Sequence, residues 1–317
     1  MADGGQHWSK IGESGAVVGM KFLLLAYRLT GRAGFRLFLY PVMVYFYLFR
    51  GAARRISKNY LRRVAPFLPP AKRAELSSFR HFILFGEILL DKLLAWMGRI
   101  RREDLEFTRP EIMRAIEVDR PGGIIVVSHL GNFEVCNAIG QRIPGIRLTI
   151  LVYTRHAQKF NSLMRGVADD SDVEIMQVSD LSPATVMLFA DRVRAGGYVV
   201  IAGDRTPLTG EARVSEVEFL GASAPFPQGP FILAGLLGCP VYFLFCLKQG
   251  ERYQVTIEKY CERLDFHPRG RREQILAGAV QDFAARLQHY CLQAPLQWFN
   301  FFPFWCDERR SDSGAEQ

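Results

Sequence analysis

The chain has 317 residues and a mass of 36.0 kDa, enough for one large domain or two small ones. Its 49% hydrophobic and 23% charged residues argue against a disordered or fibrous chain. Six scattered Cys without a C-x-x-C pair argue against a structural zinc site or a disulfide scaffold and fit buried thiols in a reducing compartment. Lys and Arg total 40 against 32 Asp and Glu, a formal charge of +8.

In chain order, residues 1–14 are polar and read as a flexible N-terminus. Residues 15–105 read as a membrane-associating helical region, its helices broken at Gly31, Gly34, Pro41 and the Pro66–Pro70 stretch. From Ser14 up to Glu75 there is no acidic residue, while Lys21, Arg28, Arg32, Arg36, Arg50, Arg54, Arg55, Lys58, Arg62, Arg63, Lys72 and Arg73 punctuate the apolar runs AVVGMKFLLLAY and LFLYPVMVYFYLF. A nucleic-acid arm is basic and polar, so no nucleic-acid partner is expected. Basic, aromatic and aliphatic residues together fit the headgroup boundary of an anionic membrane. The charges interrupt any stretch of about 20 apolar residues, which predicts peripheral or shallow insertion on the cytoplasmic face. One tilted span and a buried helical pair are the alternatives. Helical spacing then returns in SSFRHFILFGEILLDKLLAW.

Residues 106–306 change period and predict an α/β domain with a mostly parallel sheet flanked by helices. Strands are expected at IIVV (124–127), LTILVY (148–153), VEIMQV, YVVIAG (198–203), VYFLFCL (241–247) and YQVTIEKY. Helices are expected at FEVCNAIGQR, AQKFNSLMRGVADD, SPATVMLFADRVRAGG, GPFILAGLLG and from Arg271 to Cys291, with residues 307–317 a flexible tail.

The chemistry concentrates where strands end. In GGIIVVSHLGNFEV a buried strand runs into His129, a Gly131 turn, Asn132 as helix N-cap and Glu134. In one continuous helix five residues would turn His129 and Glu134 about 140° apart. The turn lets the first helical residues bring the carboxylate back to the imidazole, giving a His–carboxylate dyad with a general base. A satisfied His at a strand end with a surface Glu is the plain alternative. GDRTP places Asp204 and Arg205 after another strand, and YTRHAQ places Arg155 after a third, so one polar rim is expected. No phosphate loop, dinucleotide fingerprint, G-x-S-x-G elbow or zinc pattern is present.

SHLGNFE resembles the H-x-G-N-x-E block of the bacterial lipid A late acyltransferases, within the lysophospholipid and glycerolipid acyltransferase superfamily. GYVVIAGDRTP, then VEFLGASAPFPQGPFILAGLLGCPVYF, are similar to that family's later blocks in the same order. The W-x-x-x-G-E-x-G pattern, GRAGFRLFLYP and ARR-x-S-x-x-YL near the N-terminus are similar too, and QWFNFFPFW resembles a branch found with aryl polyene pathways. The resemblance runs from about Trp8 to Cys306. It implies a glycerolipid acyltransferase-like fold with His129 as general base and Glu134 as its orienting partner. Gly131, Asn132, Arg155, Asp204 and Arg205 would be substrate-positioning residues.

The donor so implied is an acyl carrier protein or coenzyme A thioester, without metal or other cofactor. The acceptor is a hydroxyl of a lipid or glycolipid, at the cytoplasmic face of a bacterial inner membrane. FNSLMRGVADDSD, with only Arg165, departs from the R-x-G-R-like segment of many members, which favours an acceptor other than a phosphorylated lipid A precursor. A non-catalytic carrier- or lipid-binding relative is the alternative from another class. Oxyanion stabilisation is expected from backbone N–H groups near Gly131 or from Arg205. The aromatics of QWFNFFPFW fit core closure, interfacial anchoring or an acyl-chain lining.

Overall fold

The structure is a computed structural model that describes residues 5–140, 143, 145–152, 173–177, 182–205, 213–267 and 269–305. An N-terminal helical layer comprises α1 (Gly5–Phe49), α2 (Gly51–Val64), α3 (Pro70–Ala74) and α4 (Ser78–Trp96). α1 thus begins within residues 1–14, the segment expected to be a flexible N-terminus. Gly31 does interrupt α1, with φ 69° and ψ −162°, but Gly34 and Pro41 lie inside the helix. Pro41 is tolerated because it and Leu37, whose carbonyl loses its N–H partner, both sit on the exposed side. Phe35, Leu39 and Met43 line the opposite, buried side and share one cluster with Phe82 and Leu90 of α4. The two helices approach closely at Gly86, where a Cβ would lie 2.6 Å from Leu39 Cδ1. Ser77 caps α4 by accepting from Arg80 N. Among the described residues no helix is long and apolar enough to cross a membrane.

The α/β domain follows as β1 (Leu105–Phe107), α5 (Pro110–Val118), β2 (Gly123–Val127), α6 (Phe133–Gly140), β3 (Leu148–Val152) and β4 (Val173–Gln177). It continues with α7 (Pro183–Arg194), β5 (Tyr198–Ala202), β6 (Val214–Phe219), β7 (Ala222–Pro227), α8 (Gly229–Leu237), β8 (Val241–Gln249), β9 (Arg252–Cys261) and α9 (Arg272–Gln293). Among the described residues the main sheet has seven strands in the order β1-β9-β8-β2-β5-β3-β4, all neighbours parallel except β8 and β9. The expected α/β class and mostly parallel sheet are thus present, and all six expected strands form.

Central β2 is buried along its whole length, the pattern of a strand covered on both faces. Ile124 and Val126 pack with Phe231 of α8 and Phe283 of α9, whereas Ile125 and Val127 pack on the other face with Ile116 of α5. Each such buried side chain contributes about 1.5–3 kcal/mol. The sequence reading missed β1, α5 and the β6–β7 hairpin. The hairpin closes on Leu220 and Gly221, both at positive φ (52° and 74°), the backbone of a tight two-residue turn.

Candidate active site at the carboxyl edge of the sheet

β2 and β5 are parallel neighbours with Val127 beside Ala202. Two residues further on, His129 and Asp204 therefore leave the carboxyl edge side by side, although 75 positions apart in sequence. Asp204 Oδ1 accepts from His129 Nδ1 at 2.8 Å, and Oδ2 accepts from the His129 backbone N–H at 2.7 Å. Trp298 Nε1 also donates to Oδ2, at 2.9 Å. Asp204 is fully buried while the His129 side chain is 26% exposed.

A carboxylate only accepts, so Nδ1 carries a proton, and in the neutral imidazole Nε2 is the nitrogen with the lone pair. Burial alone would raise the Asp204 carboxyl. The charge and hydrogen bonds of His129, with the Trp298 indole, outweigh that and hold it below its ordinary value.

Glu134 does not take the orienting place assigned to it. The first turn of α6 directs its carboxylate to α4, where Lys92 Nζ donates to Oε1 at 2.6 Å. The partner of His129 Nδ1 is Asp204, because sheet register places that carboxylate beside the imidazole. Glu134 instead fastens α6 to α4.

The turn itself is closed. Gly131 has φ +69°, and a Cβ there would lie 1.9 Å from the Cys246 carbonyl oxygen, so only glycine fits. Its N–H goes to Gln297 O at 2.8 Å and that of Asn132 to Cys246 O at 2.8 Å. Leu130 N–H goes to Ser128 Oγ at 3.3 Å. The N–H groups from His129 to Asn132 are thus all donated inside the protein, and the expectation of an oxyanion donor near Gly131 fails for them. Asn132 directly precedes α6, and its side-chain amide donates to Ile88 O of α4 at 3.3 Å.

Arg205 lies beside the pair. Its Nη2 donates to Asn300 Oδ1 at 3.4 Å, its guanidinium is 6.0 Å from the Phe302 ring centre, and its buried Nε has no partner among the described residues. Burial pulls Arg205 below its ordinary value, although adjacent Asp204 acts the other way. Arg155 lies outside the described residues, so the structure unites His129, Asp204 and Arg205 of the expected rim. An apolar cleft of about 60 Å³, partly open to solvent, lies between the sheet and α5 and α6, and none of His129, Asp204 and Arg205 lines it. Val127, two residues before His129, lines it with Ile125, Cys136, Ile139, Tyr198 and Val200.

Comparison with family models and with curated proteins returned no match. Among the described residues no group of three His, Cys, Asp or Glu side chains could hold a metal ion.

The sequence reading offered the C-terminal aromatics as core, interface or acyl-chain lining, and missed that this segment hydrogen-bonds to the His129–Asp204 pair. Gln297, Trp298 and Asn300 interleave with the His129–Asn132 turn and with Asp204. Leu130 pairs with Trp298, Phe299 N–H donates to His129 O at 2.9 Å, and Asn300 Nδ2 donates to Asp204 O at 3.2 Å. The available signal was polar: Gln297 and Asn300 flank Trp298 inside an otherwise aromatic run.

Proposed function

We propose that the protein is a membrane-associated O-acyltransferase of the glycerolipid acyltransferase-like class. It moves an acyl chain from an acyl carrier protein or coenzyme A thioester to a hydroxyl of a lipid or glycolipid. The observation that carries this reading is the partly exposed His129, whose Nδ1–H is fixed by the buried Asp204. Nε2 takes the proton of the acceptor hydroxyl as that oxygen attacks the thioester carbonyl carbon. Asp204 stabilises the imidazolium. As the new C–O bond forms and the C–S bond breaks, the proton passes from Nε2 to the departing thiolate, so no acyl-enzyme is required. Arg205, adjacent to Asp204, is the cation that the described residues offer for the developing oxyanion.

The membrane half of the reading rests on α1. Among its described side chains Phe35, Leu39 and Met43 are buried, whereas Leu37, Val44 and Leu48 on the opposite side are exposed. A helix apolar on both sides needs a second apolar neighbour. Exposed Arg28, Arg50, Arg55, Lys58 and Arg62 suit an anionic bilayer at the cytoplasmic face of a bacterial inner membrane.

The test is transfer of labelled acyl groups from carrier-protein and coenzyme A thioesters into a bacterial lipid extract, with wild type beside His129→Ala. Label entering a lipid only when His129 is present is the expected result, and the labelled product names the acceptor. Thioester bound by both proteins and transferred by neither would replace the enzyme with a carrier-binding protein.

A further inference from the structure

Trp298 connects the His129–Asp204 pair to the N-terminal helices. Its indole N–H ends on the same Asp204 Oδ2 that accepts from the His129 backbone, so the carboxylate is pinned from both sides. The indole is itself immobilised by rings from three directions: Tyr60 of α2 at 4.9 Å, Phe219 of β6 at 5.4 Å and Phe304 at 5.2 Å between centroids.

The Trp298 backbone is held by His81 of α4, whose Nε2 lies 3.0 Å from the Trp298 carbonyl oxygen. A carbonyl only accepts, so Nε2 carries the proton and Nδ1 must accept. Ser57 Oγ, 3.0 Å from Nδ1, supplies that proton and in turn accepts from Ser78 Oγ at 2.9 Å. Every donor in the chain Ser78, Ser57, His81, Trp298, Asp204 therefore has one acceptor, and His81 and Trp298 are buried. Buried polar chains so fully matched define a single geometry.

We propose that Trp298 is a positioning residue that fixes the conformer and charge of Asp204 through its indole N–H, and that His81 fixes Trp298 by donating to its carbonyl. The kinetic part of this inference rests on the reading of His129 as a general base; the structural part does not. The groups facing the Asp204 carboxylate are His129 at the end of β2, the adjacent Arg205, Cys291 of α9 and Trp298 of the C-terminal segment, while Asn300 holds the Asp204 backbone carbonyl. Trp298→Phe removes one donor and keeps an aromatic ring.

The experiment uses the full chain in detergent with Trp298→Phe, His81→Leu and His81→Gln. In carbon-13 spectra of Asp-labelled protein, Trp298→Phe should move the Asp204 carboxyl titration to higher pH. Its kcat should fall about ten- to a hundredfold, the scale of one hydrogen bond to a charged group, with KM within about twofold. His81→Leu should lower kcat in the same way. His81→Gln, whose amide N–H can reach the same carbonyl, should restore most of the loss. In wild type, the Trp298 indole resonance should shift as pH crosses the Asp204 titration, a readout that needs no substitution.

An unmoved Asp204 titration in Trp298→Phe, or an indole resonance indifferent to it, overturns the proposal for Trp298. Equal losses in His81→Leu and His81→Gln overturn the part for His81. If His129→Ala retains transfer while the Asp204 titration still follows Trp298, the general-base reading fails and the positioning stands. If His129→Ala is inactive while the titration does not follow Trp298, the positioning fails alone.

Discussion

Two fully buried carboxylates do different work in this molecule. Asp204 sits at the carboxyl edge of the sheet and orients a histidine that reaches solvent. Asp91 sits in α4 of the N-terminal layer, where Arg32 of α1 at 2.9 Å, Tyr253 of β9 at 2.6 Å and Lys248 of β8 all point at it. Arg32 also meets Glu251 at 3.4 Å, and Arg36 meets Glu87 at 2.9 Å. Every partner of Asp91 ends on another protein element, so its charge fastens α1 and α4 to the sheet. Asp204 has one partner with a second, basic nitrogen. Burial and pairing are common to both, and the unspent nitrogen separates a chemical site from a clasp.

The largest effect should come from Asp204→Asn, which cannot orient and stabilise the imidazolium. Its kcat should fall about 10³- to 10⁴-fold with little change in the folded far-ultraviolet spectrum. Glu134→Gln, which touches Lys92, should cost less than about tenfold in the same transfer assay. Equal losses in the two variants would return the orienting role to Glu134.

Asp91→Ala tests the clasp. It leaves Lys248 and Arg32 without their buried counter-charge, so urea denaturation should show a loss of about 3–5 kcal/mol. Turnover per folded molecule should stay within a fewfold of wild type. A stable Asp91→Ala protein with lost turnover would reverse the contrast drawn above.

Third is pH. Burial pushes His81 down to about 4, although its bond to Trp298 acts upward. In the unfolded chain it titrates near 6.5. Between those values the unfolded state binds the extra proton, so this contribution is fully present above about pH 6.5 and is lost as pH falls towards 4. The amount is about 3 kcal/mol. Urea midpoints measured across that window should fall in wild type and flatten in His81→Gln.

The smallest effect concerns α1. Leu48→Glu on its exposed side should weaken binding to vesicles rich in anionic lipid by about ten- to a hundredfold, the scale of one lost apolar side chain. Turnover on a detergent-dispersed acceptor should not change. Unaltered vesicle binding would remove that face from the membrane.

The strands show where sequence pattern suffices. IIVV, YVVIA and VYFLFCL are short β-branched or aromatic runs, and each becomes a strand whose side chains alternate between two buried faces. Ser182 followed by Pro183 starts α7 as expected, with Ser182 Oγ accepting from Thr185 N at 3.2 Å. Gly238 ends α8 in the left-handed region. The missed hairpin did carry a signal in the sequence, since Val217 and Phe219 alternate with Glu216 and Glu218. β1 was harder to read, being three residues that owe their form to pairing with β9.

Nearest in sequence was not nearest in space at the site. His129 and Asp204 were both recognised as strand-end residues, yet the imidazole was assigned to Glu134, its sequence neighbour. Strand order puts β5 next to β2, and that adjacency is a contact across 75 positions that no local pattern encodes. Trp298 and His81 were hidden for the same reason, their hydrogen bond joining positions 217 apart.

The sequence by itself determined the period of the longer strands and helices, the basic and apolar character of the first helices, and the residues able to carry acid–base chemistry. These follow from local stereochemistry and from the solvation of individual side chains. Only the tertiary structure decided which carboxylate holds His129, which one fastens α1, and that an aromatic C-terminal run supplies a hydrogen-bond donor to the site. Partner choice depends on strand order and on burial, which strengthens one charge pairing over its rivals once water is excluded.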